Sequence, residues 1–154
     1  MGGVSDALYN TEILRLAADI PHMGEFPDAQ ARARRVSPIC GSRVDVALSL
    51  DEAGRVTDFA QSVRACALGQ ASAAILGAGV LGRTPDELAE ASDELAAFLS
   101  SAAAPPPRLF PKAAVFAPAR THRARHASIR LAFEAAAQAA AEALARQPAQ
   151  AEAP

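Results

Sequence analysis

The clearest pattern in the chain runs from Arg43 to Leu50, where Val44, Val46, Leu48 and Leu50 alternate with Arg43, Asp45, Ala47 and Ser49. A period of two marks a strand with one face buried. Asp51-Glu52-Ala53-Gly54 reads as a turn, and Val56 to Val63 as the returning strand of an antiparallel hairpin. Its alternation slips between Val56 and Phe59, which calls for a bulge near Thr57 or Asp58. Residues 31 to 37 fit a shorter strand whose Arg32, Arg34 and Arg35 give it a solvated basic edge.

Helical spacing brackets these strands. Ile13, Leu16, Ala17 and Ile20 predict a first helix from about Leu8 or Asn10 to Ala18, with Asn10 as cap and Pro21 and Gly24 as stops. His22 falls in that turn and reads as a surface histidine. After Arg64 and Ala65, the stripe Leu68, Ala71, Ser72, Ile75 and Leu76 predicts a helix with Cys66 at or just before its N-terminus. Thr84-Pro85-Asp86-Glu87 combines a capping hydroxyl, proline at the first helical position and glutamate at the third, so a helix with Leu88, Ala91, Leu95 and Phe98 inward starts there. Ala102 to Pro107 is a linker, and Leu109 to Ala117 fits either helix or loop. A last helix is predicted from about His126 to Arg146, with Ile129, Ala132, Phe133, Ala136, Ala140 and Leu144 along one side. Residues 1 to 7 and the polar stretch 147–154 are expected to be disordered, leaving one domain over 1–146.

Composition narrows the function classes. Fifteen Lys plus Arg against 17 Asp plus Glu give a net charge of -2, so no global excess of positive charge points to nucleic acid or an anionic membrane. Apolar residues make up 51% of the chain but aromatics only 5%, so the core must rest on Leu, Ile and Val, with alanines allowing close helix approach. No apolar run reaches the roughly 18 to 20 residues of a membrane span, and no secretion-type leader pattern is present, which makes the cytoplasm the expected location.

Two cysteines do not make a disulfide framework. Cys40 stands on a Pro/Gly turn entering a strand, in Ser37-Pro38-Ile39-Cys40-Gly41-Ser42-Arg43, and Cys66 stands where the returning strand meets a helix. Antiparallel pairing brings the start of one strand beside the end of the other, so both thiols are expected at one end of the sheet. A final helix packed across the sheet brings His126 to the same end. Two thiolates and an imidazole suit zinc, ferrous iron or an iron–sulfur cluster, and a thiolate at a helix start among arginines also suits sulfur chemistry. Buried, inert cysteines and a hydrogen-bonded helix-face histidine explain the same residues. Arg120, Arg123, Arg125 and Arg130 make the surroundings of His126 basic, fitting either an acidic partner surface or a solvated helix start.

The ordered series Leu8-Tyr9-Asn10, Cys40-Gly41-Ser42, Gly54-Arg55-Val56-Thr57-Asp58-Phe59, Cys66-Ala67-Leu68-Gly69-Gln70-Ala71-Ser72 and His126-Ala127-Ser128-Ile129 resembles the NifU N-terminal domain, the IscU/SufU-type iron–sulfur cluster scaffold family, over roughly residues 8 to 140. The resemblance implies an α+β fold, a three-stranded antiparallel sheet packed against several helices. It implies a scaffold rather than a turnover enzyme, holding a [2Fe-2S] cluster or iron, with zinc as the alternative. The partners it implies are a cysteine desulfurase and apo iron–sulfur proteins, with a homodimer as a further option. Carried over, Cys40 and Cys66 match the first two ligand cysteines, Ser42 takes the place of the family aspartate, and Ala127 that of the third cysteine behind His126. In another register His126 itself takes the third cysteine's place. The implied ligand set is therefore Cys40, Cys66 and His126, with water, Asp45 or a partner's residue in fourth place. Its two departures also fit a non-catalytic adaptor, or a sulfur-transfer component, that kept the fold without stable cluster binding.

Overall fold

The structure, a computed structural model, describes residues 10–147. Its elements in chain order are α1 (Thr11–Ala17), β1 (Ala31–Val36), β2 (Arg43–Leu50), β3 (Val56–Arg64), α2 (Ala67–Gly79), α3 (Pro85–Ser100), a 3₁₀ segment (Pro111–Thr121) and α4 (Arg123–Arg146). The expected disorder of residues 1–7 and of most of the tail falls outside the described residues.

The strands form one antiparallel sheet in the order β1-β2-β3. β2 lies in the middle, which explains why its apolar alternation is the strongest: Val44, Val46, Leu48 and Leu50 are all buried. The expected bulge is present. Leu50 pairs with Val56 while Ser49 pairs with Asp58, so Thr57 is the extra residue that returns Phe59 to the buried face.

α4 packs along the face of β1 and β2, with α2 and α3 beside it and α1 against α2. Its buried line is mostly alanine: Ala132, Ala135, Ala136, Ala139, Ala140 and Ala143. Short side chains let the 24-residue helix lie close to the sheet and its neighbours. Larger groups fill the end near the 3₁₀ segment, where Phe110 meets Phe133 edge-to-face at 5.1 Å. The segment that sequence left open between helix and loop is this 3₁₀ run, held by the buried Ala113, Phe116 and Ala119.

Caps set the helix starts. The Asn10 side chain accepts from the Ile13 amide. Thr84 and Glu87 exchange both bonds of a capping box, which holds the Glu87 carboxyl below the usual carboxylate range chiefly through the Thr84 amide. α4 begins at Arg123, about one turn earlier than the pattern predicts.

Candidate thiol site

Cys40 sits in the six-residue connection between β1 and β2. The Ser37 amide donates to the Ser42 carbonyl at 2.8 Å, closing that loop, and the Gly41 amide donates to the Ser37 carbonyl at 2.9 Å. Gly41 has φ +74°, a left-handed conformation that glycine adopts at little cost and that carries the chain from Cys40 back toward β2. The thiol is exposed, with Ile39 beside it 70% exposed, while Ser37 and Ser42 are buried beneath.

Cys66 is the residue that caps α2, at the far end of β3. The register pairs Arg43 with Arg64, so the chain enters β2 just past Cys40 and leaves β3 just before Cys66 at the same end of the sheet. Two like charges face each other there. Arg43 is answered by Asp45 at 3.2 Å, while Arg64 stays exposed.

The two cysteines are joined through hydroxyls. Cys40 Sγ lies 3.0 Å from Ser42 Oγ, the Ser128 hydroxyl donates to Ser42 Oγ at 3.1 Å, and Ser128 Oγ lies 3.5 Å from Cys66 Sγ. Ser37 Oγ adds a fourth hydroxyl contact to the site, 3.5 Å from Cys40 Sγ. Hydroxyls turned toward a sulfur favour its anion, and those of Ser37 and then Ser42 bring the Cys40 thiol down to about 7 against the small opposing effect of burial.

His126 is placed away from this network. Its Nε2 lies 2.8 Å from the Ala119 carbonyl and 3.1 Å from that of Arg120, so the ring ties the start of α4 to the end of the 3₁₀ segment. The cause is helical geometry. Residues 126 and 128 lie about 200° apart around the axis of α4, so only one can face the cysteines. Ser128 does. Among the described residues no three His, Cys, Asp or Glu side chains gather into a group that could hold a metal ion, so the expected trio of Cys40, Cys66 and His126 is not assembled in this arrangement. Asp45, considered above as a fourth ligand, is engaged by Arg34 at 2.6 Å and by Arg43.

Ser128 was not among the residues expected at the site. Gly69 lies opposite it on α2, where a Cβ would come within 2.7 Å of Ser128 Oγ. The arginines expected to be merely solvated also carry contacts. Arg35 reaches Glu134 and Gln138 on α4, and Arg120 donates to the Phe98 and Ala104 carbonyls while lying 4.1 Å over the Phe98 ring. A groove of about 500 Å³ on the outer sheet face beside Phe26, Arg32 and Arg34 includes neither cysteine.

Comparison with known proteins agrees with the fold. The NifU-like N terminal domain model matches residues 8–148. The chain belongs to the NifU-like N-terminal domain family. A nitrogen-fixing NifU-like protein (N-terminal) from Brucella abortus superposes with a TM-score of 0.86 at 37% identity, covering 94% of this chain and 100% of that one. A candidate iron–sulfur cluster assembly scaffold protein for the SUF system from Fervidobacterium islandicum AW-1 shares the fold at 17% identity, with a TM-score of 0.78 over 88% of this chain and 98% of that one. None of the curated proteins compared with the chain matches it. Membership places the chain among iron–sulfur cluster assembly scaffolds, a group of carriers rather than turnover enzymes, and agrees with the α+β architecture read from the sequence. No helix among the described residues is long and apolar enough to cross a membrane.

Proposed function

We propose that the chain works in iron–sulfur cluster assembly by holding iron, with zinc as an alternative occupant, between Cys40 and Cys66, and by taking up sulfur at Cys40. The observation that supports this most is the pair of thiols at one end of the sheet, joined by the Ser42 and Ser128 hydroxyls. The donor set limits the cargo. Two thiolates are half of a tetrahedral ligand set for one divalent cation, and a [2Fe-2S] cluster is ordinarily held by four strong ligands. A [2Fe-2S] cargo would need two further ligands from outside the described site, from a partner protein or a second copy of the chain.

The sulfur step uses the exposed cysteine. The Cys40 thiolate attacks the outer sulfur of a persulfide on a cysteine desulfurase, the donor's S–S bond breaks as the new one forms, and the donor leaves as a thiolate. No net oxidation occurs. Ser37 and Ser42 favour the attacking anion, and the exposure of Cys40 lets a donor reach it. Apo iron–sulfur proteins are the natural recipients of cargo held by so few strong ligands.

Anaerobic reconstitution with ferrous iron and sulfide, followed by absorption spectroscopy and metal analysis, tests this reading. The wild type should retain iron near one equivalent, and C40A and C66A should lose it. Equal retention in all three proteins would sink the assignment.

A further inference from the structure

Between Glu94 and Glu134 the chain carries Arg108, Lys112, Arg120, Arg123, Arg125 and Arg130 and not one Asp or Glu, although the protein as a whole has a net charge of -2. The two flanking acids are already engaged. Glu94 accepts from the Arg108 amide, and Glu134 is shared by Arg35 and Arg130. The fold gathers part of this unanswered charge around a cavity of about 310 Å³, lined by Leu99 and Ser100 at the end of α3, Arg120 from the 3₁₀ segment, and Arg123 and His126 from the start of α4. Neither cysteine lines it, and neither does Ser42 or Ser128. Arg120 is held in place by its own fold: Nε and Nη2 donate to the Phe98 and Ala104 carbonyls at 2.8 and 3.1 Å. Carbonyls orient a guanidinium without cancelling its charge, and Nη1 is left without a partner among the described residues. Arg123 makes no hydrogen bond or ion pair among the described residues. The Ser100 hydroxyl and His126 Nε2 are committed to backbone carbonyls, so the two arginines carry the site.

We propose that this cavity is a phosphate-binding site, in which Arg120 and Arg123 hold the phosphate group of inorganic phosphate or of a small phosphate monoester. The charge balance selects the ligand class. Two guanidinium groups that meet no carboxylate fit a ligand bringing two negative charges, and a phosphate monoester carries about -1.5 to -2 near pH 7. Its oxygens also match the planar fork of a guanidinium, which donates two parallel bonds to them. A single carboxylate would leave one arginine unanswered. The start of α4 adds to the field of the arginines, since its first turn has no acidic side chain and no side-chain cap. The cavity exceeds the volume of a phosphate group, which leaves room for a small organic group beside it. The site is independent of the function proposed for the cysteines.

Titration of the full chain with inorganic phosphate, and separately with phenyl phosphate, followed through amide NMR shifts at low ionic strength, tests the assignment. Both should bind saturably at one site, moving the amides of Ser100 and of residues 120–126 and leaving those of residues 37–42 in place. R123E should weaken binding at least about tenfold, the scale of a lost hydrogen bond between charged groups. R123K should keep part of the affinity, because it restores the charge without the fork. R15E makes the same change in net charge on the exposed flank of α1 and should bind as the wild type does. Equal affinity for the two ligands would identify inorganic phosphate as the ligand, and tighter binding of phenyl phosphate a monoester. Shifts that never saturate, acetate binding as tightly as phosphate, or equal weakening in R15E and R123E would overturn the proposal. None of these outcomes touches the assignment of Cys40 and Cys66.

Discussion

Ser128 donates a hydrogen bond to Ser42 at 3.1 Å, joining residues separated by 86 positions in the chain. This contact ties the middle of the thiol end to α4, and it separates the roles of two residues that sequence alone placed together. His126 braces the helix start, and Ser128 faces the sulfurs.

H126A should therefore leave the reactivity of both cysteines unchanged while costing about 1 kcal/mol of stability, the scale of a lost hydrogen bond from a partly buried group. Urea denaturation and thiol alkylation measured on the same preparation check the two halves. A large change in alkylation with little change in stability would contradict the placement of the ring.

Alkylation of Cys40 should rise with pH about a midpoint near 7, and S37A and S42A should each move that midpoint upward. The same shift affects folding. Because the folded state holds the Cys40 thiolate more readily than the unfolded chain does, the unfolded chain binds more protons between pH 7 and the ordinary thiol range. Stability from this group is complete above that range and is lost as pH falls through about 7. Comparing denaturation of wild type and C40A across pH 6 to 9 isolates the contribution, which should vanish in the variant.

G69A should be destabilising. Its new methyl carbon would stand 2.7 Å from both Ala65 Cβ and Ser128 Oγ, and overpacking of this kind costs about 1 to 3 kcal/mol. Relief by moving Ser128 would also break its bond to Ser42, so the Cys66 and Cys40 environments should change together. Denaturation gives the first effect, and NMR shifts of the two cysteines give the second.

T84A removes one side of the capping box and should cost about 1 kcal/mol. The cap lies on α3, outside the thiol network, so metal binding per folded molecule should not change. A midpoint shift in urea with unaltered iron retention is the expected result.

Most of the architecture was legible because it depends on local rules. Alternation along β2 fixed which face is buried, the slip at Val56 and Phe59 located the bulge at Thr57, and Thr84 to Glu87 marked the start of α3. The convergence of the Cys40 and Cys66 segments followed from antiparallel pairing. The third side of the site did not, because it depends on helical phase. His126 and Ser128 lie on nearly opposite sides of α4, and the apolar stripe alone does not say which of the two sides meets the cysteine loops. Just after Pro118 inside the 3₁₀ segment, the backbone carbonyls of Ala119 and Arg120 lie against the ring of His126, a tertiary contact that no sequence period encodes.

The alanine line of α4 bears on how cargo can leave. The helix that presents Ser128 is also the one whose bare flank lies against β1, β2, α2 and α3, so it cannot swing aside locally without exposing much of the protein's interior. The β1–β2 loop carrying Cys40 has no such burden. On the proposed assignment of the two cysteines, release should therefore proceed by the loop lifting from a stationary helix. In hydrogen-exchange terms, the amides of residues 37–42 should open far more often than those around Ser128.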